Sequence, residues 1–286
     1  MAVDRTVTID GVIVPRLVYG TAWKEERTEA LTAQALAAGF RGVDTANQRK
    51  HYFEAGAGAA IRAALKSGAV RREDLFIQTK YTLRRGQDDR LPYDETAPLP
   101  TQVRQSCESS LDHLGVDRID SLLVHGPVTG GPLTPGDWLV WRAMEALHAE
   151  GKVRLLGVSN FSLEQLKLLC ARAKVPPRFI QNRCYANRAW DKPIRDFCAD
   201  RGIHYQGFSL LTANRALLAR PEFAAIVRAV GRTPAQVIFR FALEVGMIAL
   251  TGTTSPAHLT EDLGIFDVSL DPDHVRALEV MAVAKA

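Results

Sequence analysis

The chain is organised around one stretch, which reads Gly42-Val43-Asp44-Thr45-Ala46-Asn47-Gln48-Arg49-Lys50-His51-Tyr52-Phe53-Glu54. Its first residues predict the end of a buried strand, with Asp44 as an acid at the tip. A polar, basic run with a His–Tyr pair follows, and residues 55–66 then show the apolar spacing of an amphipathic helix. A strand, a polar loop and a helix make one unit of an α/β fold.

Similar units follow along the rest of the chain. The predicted strands are Arg16–Thr21, Gly42–Thr45, Leu75–Lys80, Ser121–His125, Leu155–Ser159, Phe179–Asn182, His204–Phe208 and Ile248–Thr251. Helices are predicted near 26–38, 55–66, 101–114, 137–150, 162–173, 192–201, 234–245, 256–263 and 272–281. Because parallel neighbours need crossover connections, this alternation favours a parallel sheet, and eight units close into a (β/α)8 TIM barrel.

A hairpin is predicted before the barrel. Residues 6–14 place Asp10-Gly11, a strong two-residue turn signal, between apolar runs, and we expect this hairpin to plug one end of the barrel. No linker composition interrupts the chain, so residues 1–286 are expected to form a single domain of the α/β class. Two connections, Tyr81–Leu99 and Leu211–Arg232, are long, which is typical of functional loops or disorder.

Composition and charge exclude several classes of protein. The chain is 47% hydrophobic and 24% charged, with a net charge of +4 whose Lys and Arg are scattered. Nucleic-acid binding needs a basic stripe, which is missing, whereas a mild positive charge suits an anionic small molecule such as a dinucleotide. No signal peptide or apolar run near 18 residues is visible, which predicts a cytoplasmic protein without a membrane partner. Neither the four cysteines nor the His, Asp and Glu residues show metal-ligand spacing.

Three ionisable residues end successive predicted strands. These are Asp44, Lys80 and His125, and in a TIM barrel the active site lies at the carboxyl ends of the strands. Each is ordinary alone, because a strand-end Asp often caps a turn and a terminal Lys often reaches solvent. Together, three ionisable residues at the same end of three successive strands are much less probable by chance, which indicates a shared site. A Lys held by a carboxylate favours ionisation of a nearby phenol, which suits proton donation to an oxyanion during hydride transfer from a cofactor.

The motifs resemble the aldo-keto reductase family over nearly the whole chain. The matching pieces are Gly20-Thr21-Ala22-Trp23, Val43-Asp44-Thr45-Ala46, Thr79-Lys80, Leu123-Val124-His125, Gly157-Val158-Ser159-Asn160-Phe161 and Thr233-Pro234-Ala235-Gln236. The resemblance implies NAD(P)H-dependent reduction of aldehydes or ketones to alcohols by a monomer or weak homo-oligomer. It also implies a catalytic tetrad of Asp44, Tyr52, Lys80 and His125, with Tyr52 as the general acid.

The resemblance further implies where a nicotinamide cofactor would bind. Its residues would be Thr21, Ser159, Asn160, Gln181, Phe208, Ser209, Leu211, Gly252, Thr253, His258, Glu261 and Asp262. Phe208 would stack on the nicotinamide ring, where many members have Tyr. NADPH is the family's usual cofactor, but Gly252 carries no charge and His258 stands where Arg is common, so NADH is an alternative.

The loop after Asp44 departs from the family pattern. In many members the tyrosine follows the acid more closely, at the position that Arg49 occupies here, whereas Tyr52 lies eight positions after Asp44. His51 and, more weakly, Tyr81 are therefore alternative proton donors. The chain is also short after its final predicted helix, so we expect an open substrate pocket. Its substrate-binding residues are predicted to be Trp23, Tyr81 and Tyr185.

Two other functions remain open at this level. A cofactor-binding regulatory barrel that senses redox state with little turnover would also retain the nicotinamide residues. A barrel enzyme of different chemistry, such as a lyase or isomerase, would bind no nicotinamide at all.

Overall fold

Eight parallel strands close into a barrel in the computed structural model of the protein, which describes residues 4–283. An antiparallel hairpin of β1 (Thr6–Ile9) and β2 (Val12–Pro15) precedes them. The barrel strands are β3 (Leu17–Gly20), β4 (Gly42–Asp44), β5 (Phe76–Tyr81), β6 (Ile119–Val124), β7 (Val153–Ser159), β8 (Phe179–Arg183), β9 (His204–Phe208) and β10 (Ile248–Thr251). Each pairs with the next, and β10 returns to β3. The predicted (β/α)8 barrel and its hairpin are confirmed.

Helices connect the strands and surround the barrel. They are α1 (Thr28–Ala38), α2 (Glu54–Lys66), α3 (Leu99–Leu114), α4 (Pro135–Ala149), α5 (Leu163–Arg172), α6 (Lys192–Ala199), α7 (Arg215–Leu218), α8 (Pro221–Val230), α9 (Pro234–Glu244), α10 (Pro256–Leu263) and α11 (Pro272–Val280). No helix within residues 4–283 has the length and apolar character needed to cross a membrane.

The long connection between residues 211 and 232 contains two helices, α7 and α8, that were not predicted from the sequence. α8 begins at Pro221, where a missing N–H costs little, and it buries Phe223 and Ile226 at helical spacing. Gly231 ends it with a φ of 66°, a left-handed conformation that glycine adopts without strain. This connection is therefore an ordered helical segment, whereas the Tyr81–Leu99 connection remains largely irregular.

The hairpin closes the amino end of the barrel. Its side chains Ile9, Val12 and Val14 join the apolar cluster of the barrel interior, which comprises Val18, Phe76, Leu123, Leu155, Phe179, Ile248 and Leu250. Burying each such side chain stabilises the fold by about 1.5–3 kcal/mol. A sealed, apolar amino end leaves the carboxyl end as the place where polar side chains can meet.

The interior becomes polar toward the carboxyl end, and β5 shows the change. Successive side chains of a strand point to opposite faces, so Phe76, Gln78 and Lys80 point into the barrel. Phe76 lies in the apolar cluster, while Gln78 and Lys80 both contact Asp44 on β4. The barrel thus places its ionisable interior residues where a TIM barrel carries its active site.

One motif behind the family resemblance has a structural role here. Thr233 starts α9 by accepting a hydrogen bond from the Gln236 backbone N–H, and the Gln236 side-chain oxygen accepts one from the Thr233 N–H, both at 3.2 Å. This reciprocal capping satisfies two backbone donors that the first helical turn leaves free. The Gln236 amide also donates to the Glu261 carbonyl at 2.9 Å, which fastens α9 to α10.

Candidate active site

A buried ion pair lies at the centre of the carboxyl end. The Lys80 Nζ is 2.7 Å from Asp44 Oδ2 and also donates to the Thr45 carbonyl at 2.8 Å. Both side chains are almost fully buried, at 1% and 4% exposure. Burial lowers the pKa of Lys80, but Asp44 and then Tyr52 act against it, and the pKa is raised overall. Lys80 therefore carries its positive charge at neutral pH.

Tyr52 lies beside this ion pair. Its ring centroid is 5.2 Å from the Lys80 Nζ and 5.8 Å from the centroid of the His125 ring, which it meets edge-on at 70°. Burial raises the pKa of the Tyr52 phenol, although the charge and hydrogen bond of Lys80 act to lower it. Tyr52 is consequently protonated at neutral pH, as a proton donor must be.

The His51 side chain points away from the ion pair that Tyr52 contacts. Its ring packs on the Trp23 indole with centroids 4.0 Å apart, and its backbone carbonyl accepts a hydrogen bond from the Trp23 N–H at 2.7 Å. Trp23 is 69% exposed, so this pair lies at the rim. The longer loop thus brings Tyr52, rather than His51, next to Lys80 and His125.

Side-chain hydrogen bonds hold the loop between β4 and α2 in place. The Gln48 amide donates to the Gly86 carbonyl at 2.5 Å, and the Gln87 amide donates to the Asn47 carbonyl at 2.8 Å. Asn47 in turn donates to the Ser106 carbonyl on α3 at 3.0 Å. Gln48, Gln87 and Asn47 are all buried, so the added loop residues are packed rather than free.

Glu54 anchors the other end of the same loop. It is the first residue of α2, is 4% exposed, and accepts a short hydrogen bond from the Thr79 hydroxyl next to Lys80. Its second oxygen lies 3.0 Å from His113 Nδ1 on α3, and that hydrogen bond raises the pKa of His113. Tyr52, two residues earlier, is thereby tied to the strand that carries Lys80.

His125 is held as a neutral imidazole. Burial lowers its pKa to about 3, with smaller contributions from the positive charges of Lys80 and His51. Its Nδ1 lies 2.7 Å from the Thr82 hydroxyl oxygen. Because the Thr82 hydroxyl occupies Nδ1, Nε2 is the ring nitrogen that can meet a ligand.

The residues assigned to the nicotinamide end lie on neighbouring strand ends. Ser159 Oγ donates to the Gln181 carbonyl at 2.8 Å, and Asn160 Nδ2 donates to the His125 carbonyl at 2.8 Å. The Gln181 amide nitrogen donates to Asp44 Oδ1 at 2.9 Å. Thr21 also lies here, because its hydroxyl donates to the Asp44 carbonyl at 3.1 Å. These four residues and His125 therefore form one connected group.

Phe208 ends β9 next to this group. It is half-buried, and the Arg183 guanidinium lies 5.7 Å from its ring centroid. Ser209 follows with a φ of 57° and Leu211 is half-buried, so the chain turns at this point. The strands β8 and β9 thus present a positive charge and an aromatic ring side by side.

The residues assigned to the adenosine end surround the start of α10. Thr253 Oγ1 lies 3.5 Å from His258 Nδ1, and Glu261 is half-buried. Asp262 is 2% exposed and accepts a hydrogen bond from the Thr251 hydroxyl at 2.7 Å, so its carboxyl faces the protein. Burial raises the pKa of Asp262 to about 6.

A buried lysine lies beside Gly252, which carries no charge of its own. Lys24 is 5% exposed, and its Nζ donates to the Gly252 carbonyl at 2.7 Å. It also lies 5.0 Å from the centroid of the Tyr19 ring. Burial, and then the charge of Arg27, lowers the pKa of Lys24 to about 8. The sequence does not reveal this contact, because no local pattern connects residue 24 with residue 252.

Two of the three predicted substrate residues are accessible to solvent, and one is not. Trp23 is exposed and Tyr185 is half-buried beneath the Arg188 guanidinium. Tyr81 is 1% exposed and packs between the barrel and the helices, with its hydroxyl 3.4 Å from Gln102 of α3. The prediction for Tyr81 is wrong because the residue after an inward-pointing Lys80 must point outward.

Polar residues beneath the ion pair were also missed. Gln78, Ser121 and Gln206 lie inside the barrel at 0% exposure and form hydrogen bonds with each other. The sequence does contain a signal for them, because each is a polar residue within a strand that is otherwise apolar. Among residues 4–283, no cluster of three or more His, Cys, Asp or Glu side chains is arranged to hold a metal ion.

A family model described as "Aldo/keto reductase family" matches residues 16–282. The chain belongs to the aldo/keto reductase family. Members are NAD(P)H-dependent oxidoreductases, typically with NADPH. The chain is 31% identical over 274 residues to "Uncharacterized oxidoreductase YtbE" of Bacillus subtilis, covering 95% of this chain and 90% of that protein. It is 29% identical over 303 residues to "Aldo-keto reductase family 1 member C3" of Pongo abelii, covering 94% and 88%.

Solved structures agree with this membership. An aldo/keto reductase of Brucella melitensis superimposes with a TM-score of 0.81 at 28% identity, over 98% of each chain. The aldose reductase of Schistosoma japonicum gives a TM-score of 0.83 over 100% of this chain and 94% of that one. Its identity is 24%, so it shows a shared fold alone. The aldo/keto reductase family indicated by the sequence motifs is thereby confirmed.

Proposed function

We propose that this aldo/keto reductase reduces aldehydes or ketones to alcohols with NADPH, and that Tyr52 is its general acid. The observation that carries the proposal is that the Tyr52 ring lies close to both the Lys80 Nζ and the His125 ring. A protonated phenol, a buried cation and a neutral imidazole meet there at the carboxyl end of the barrel. These groups can donate a proton to a carbonyl oxygen and stabilise the negative charge that it gains during reduction.

The residues at the mouth fit a nicotinamide dinucleotide. The Gln181 side-chain oxygen accepts no hydrogen bond from residues 4–283, and Phe208 offers an aromatic face for stacking. Lys24 contacts Gly252, shortly before α10 begins at Pro256, and a cation and a helix N-terminus both suit a phosphate group. Ser159, Asn160 and Gln181 would hold the nicotinamide end. Such a cofactor supplies a hydride when bound.

The side chains of the proposed tetrad have separate roles in orienting the substrate, donating the proton and stabilising charge. Neutral His125 would donate a hydrogen bond from Nε2 to the carbonyl oxygen, which orients the substrate and stabilises the developing oxyanion. Tyr52 would then give that oxygen its proton, and the Lys80 cation would stabilise the resulting phenolate. Asp44 keeps Lys80 in place through the 2.7 Å ion pair. No step needs a change in the charge of His125.

The proposal is tested by two measurements on the wild-type chain. Quenching of tryptophan fluorescence should report binding of NADPH and NADH, because Trp23 lies at the rim. Oxidation of NADPH should then follow addition of an aromatic aldehyde. Binding without turnover over a broad carbonyl panel would instead support a redox-sensing barrel. Failure to bind either dinucleotide would overturn the proposal and point to other barrel chemistry.

Thr82 gives a prediction about the orientation of His125. Replacing Thr82 with Val removes the hydroxyl at 2.7 Å from His125 Nδ1 and keeps the side-chain shape, so the imidazole loses its orientation. We expect kcat to fall about 10-fold, within the range of one hydrogen bond to a polar group, while cofactor affinity stays unchanged. Thr82→Ser should restore kcat. Equal kcat for Val and Ser variants would contradict the assignment.

Lys24 gives a prediction about cofactor affinity and pH. Lys24→Met should weaken NADPH binding about 10- to 100-fold at pH 7, as expected when a charged hydrogen bond to a phosphate is lost. Because the pKa of Lys24 is lowered to about 8, the wild type should lose affinity as the pH rises through that value. The variant's affinity should not change there.

Fluorescence titrations between pH 6.5 and 9.5 check this result, with the exposed Lys66→Met as the control. The control should retain both the affinity and the pH dependence of the wild type. Tight binding by Lys24→Met at pH 7 would show that this cation does not contact the dinucleotide.

A further inference from the structure

Four polar side chains form a hydrogen-bonded layer across the barrel, directly beneath Asp44. They come from different strands and are Gln78 of β5, Ser121 of β6, Gln181 of β8 and Gln206 of β9. Gln78, Ser121 and Gln206 are 0% exposed and Gln181 is 3% exposed. We call these residues the amide layer. The proposed tetrad uses none of them, although the layer lies in contact with it.

The carboxylate of Asp44 fixes the direction of these hydrogen bonds. Its Oδ2 is taken by Lys80, and its Oδ1 accepts from Gln78 Nε2 at 2.7 Å and from Gln181 Nε2 at 2.9 Å. An ionised carboxylate only accepts hydrogen bonds, so both amides must turn their nitrogen toward it. This removes the ambiguity between oxygen and nitrogen that side-chain amides otherwise have.

Gln206 completes the arrangement. Its oxygen accepts from Gln78 Nε2 at 2.7 Å and from Gln181 Nε2 at 2.9 Å, and its nitrogen donates to Gln78 Oε1 at 3.1 Å. Ser121 donates to the same Gln78 oxygen at 2.9 Å. One N–H of Gln181 thereby donates to Asp44 and the other to Gln206. Its oxygen is the atom that accepts nothing from residues 4–283 and is not sealed inside the protein.

We propose that Gln78 and Gln206 are positioning residues for cofactor recognition. Together with Asp44 they lock Gln181 so that it presents an acceptor, and never a donor, to a ligand at the carboxyl end. The matching ligand group is the carboxamide NH2 of a nicotinamide. This inference rests on the proposed function and goes beyond it, because it couples the cofactor contact of Gln181 to the carboxylate that holds Lys80.

The orientation of the Gln181 amide depends on Gln206 because the amide layer offers few other hydrogen-bond acceptors. If Gln206 loses its oxygen, one Gln181 N–H loses its acceptor in a buried place, which is unfavourable. The Gln181 amide can then keep one N–H on Asp44 Oδ1 and turn the freed N–H outward. An outward N–H repels a carboxamide NH2 but donates a hydrogen bond to a carbonyl oxygen. Removing Gln206 should therefore change which cofactor analogue is preferred, in addition to any loss of stability.

The test compares two ligands that differ in this one group. The dissociation constants of NADP+ and its 3-acetylpyridine analogue, which lacks the carboxamide NH2, are measured by fluorescence quenching. The wild type should prefer NADP+ by about 10-fold, the size of one hydrogen bond. Gln206→Met, which keeps the length without the amide, should reduce this ratio to about one.

Gln102→Met is the matched control, because Gln102 is also a buried glutamine but donates to the carbonyls of Glu95 and Ala97 outside the barrel. It should keep the wild-type ratio. If circular dichroism shows that Gln206→Met does not fold, Gln78→Met replaces it, since it removes the acceptor of the Gln206 nitrogen.

The outcomes separate the inference from the proposed function. An unchanged ratio in a folded Gln206→Met or Gln78→Met protein would overturn the positioning role. Equal binding of both ligands by the wild type would also overturn it, while leaving a dinucleotide-dependent enzyme intact. Binding of neither ligand to the wild type would instead refute the proposed function itself.

Discussion

Tyr52→Phe should lower kcat for aldehyde reduction by about 10²–10⁴-fold, the usual contribution of a positioned general acid. The phenol ring lies against Lys80 and His125, and Phe keeps that packing while removing only the hydroxyl. Because burial raises the pKa of Tyr52, the wild-type residue holds its proton at neutral pH and can donate it. The affinity for NADPH should change little.

Two variants decide whether this loss is specific. His51→Gln removes the neighbouring imidazole, which packs on Trp23 at the rim, and should retain most of the activity. Tyr205→Phe removes another buried phenol, whose hydroxyl donates to Asp191 at 2.8 Å away from the site, and should behave as the wild type. A Tyr52→Phe enzyme with normal kcat, or a larger loss in His51→Gln, would transfer the role to His51.

The barrel was predictable because its signals are local. Apolar runs ending in Asp44, Lys80 and His125 alternate with helices whose apolar spacing is regular, and the structure places the strands within a few residues of the predicted bounds. The direction of Tyr81 was also available from strand alternation, since Lys80 points inward. That error came from treating adjacency in sequence as adjacency in space.

The direction of the Tyr52 loop was not predictable from local pattern. Gln48 meets Gly86 across 38 residues of chain, and Asn47 meets Ser106 across 59. These contacts determine that Tyr52 turns toward Lys80 while His51 turns toward Trp23. The sequence shows that the loop is longer than in many family members. Which side chain enters the site depends on how the loop packs against the segments around Gly86 and Ser106.

The same reason explains why the cation at Lys24 and the amide layer were missed. Lys24 reaches Gly252 across 228 residues, and Gln78 reaches Gln206 across 128. Only closure of the barrel, with β10 against β3, brings the first pair together. The cation beside Gly252 therefore comes from the opposite end of the chain.

Lys80→Met should abolish most of the activity and also destabilise the fold. Removing the cation deprives the proposed phenolate of its stabilising charge, so we expect kcat to fall about 10²–10⁴-fold. It also leaves the Asp44 carboxylate buried without its ion partner, for which a loss of about 3–5 kcal/mol in the free energy of unfolding is typical. Chemical denaturation and steady-state kinetics measure the two effects separately.

The double variant Asp44→Asn with Lys80→Met tests the cause of the instability. Removing the unpaired charge should recover stability relative to Lys80→Met, while activity stays low because the cation is still missing. Lys192→Met is the matched control, since Lys192 pairs with Asp196 at 2.9 Å but both side chains are about half exposed. That control should cost no more than about 1 kcal/mol. If Lys80→Met were as stable as Lys192→Met, the buried ion pair would have no special role in holding this site, and Asp44 would need another function.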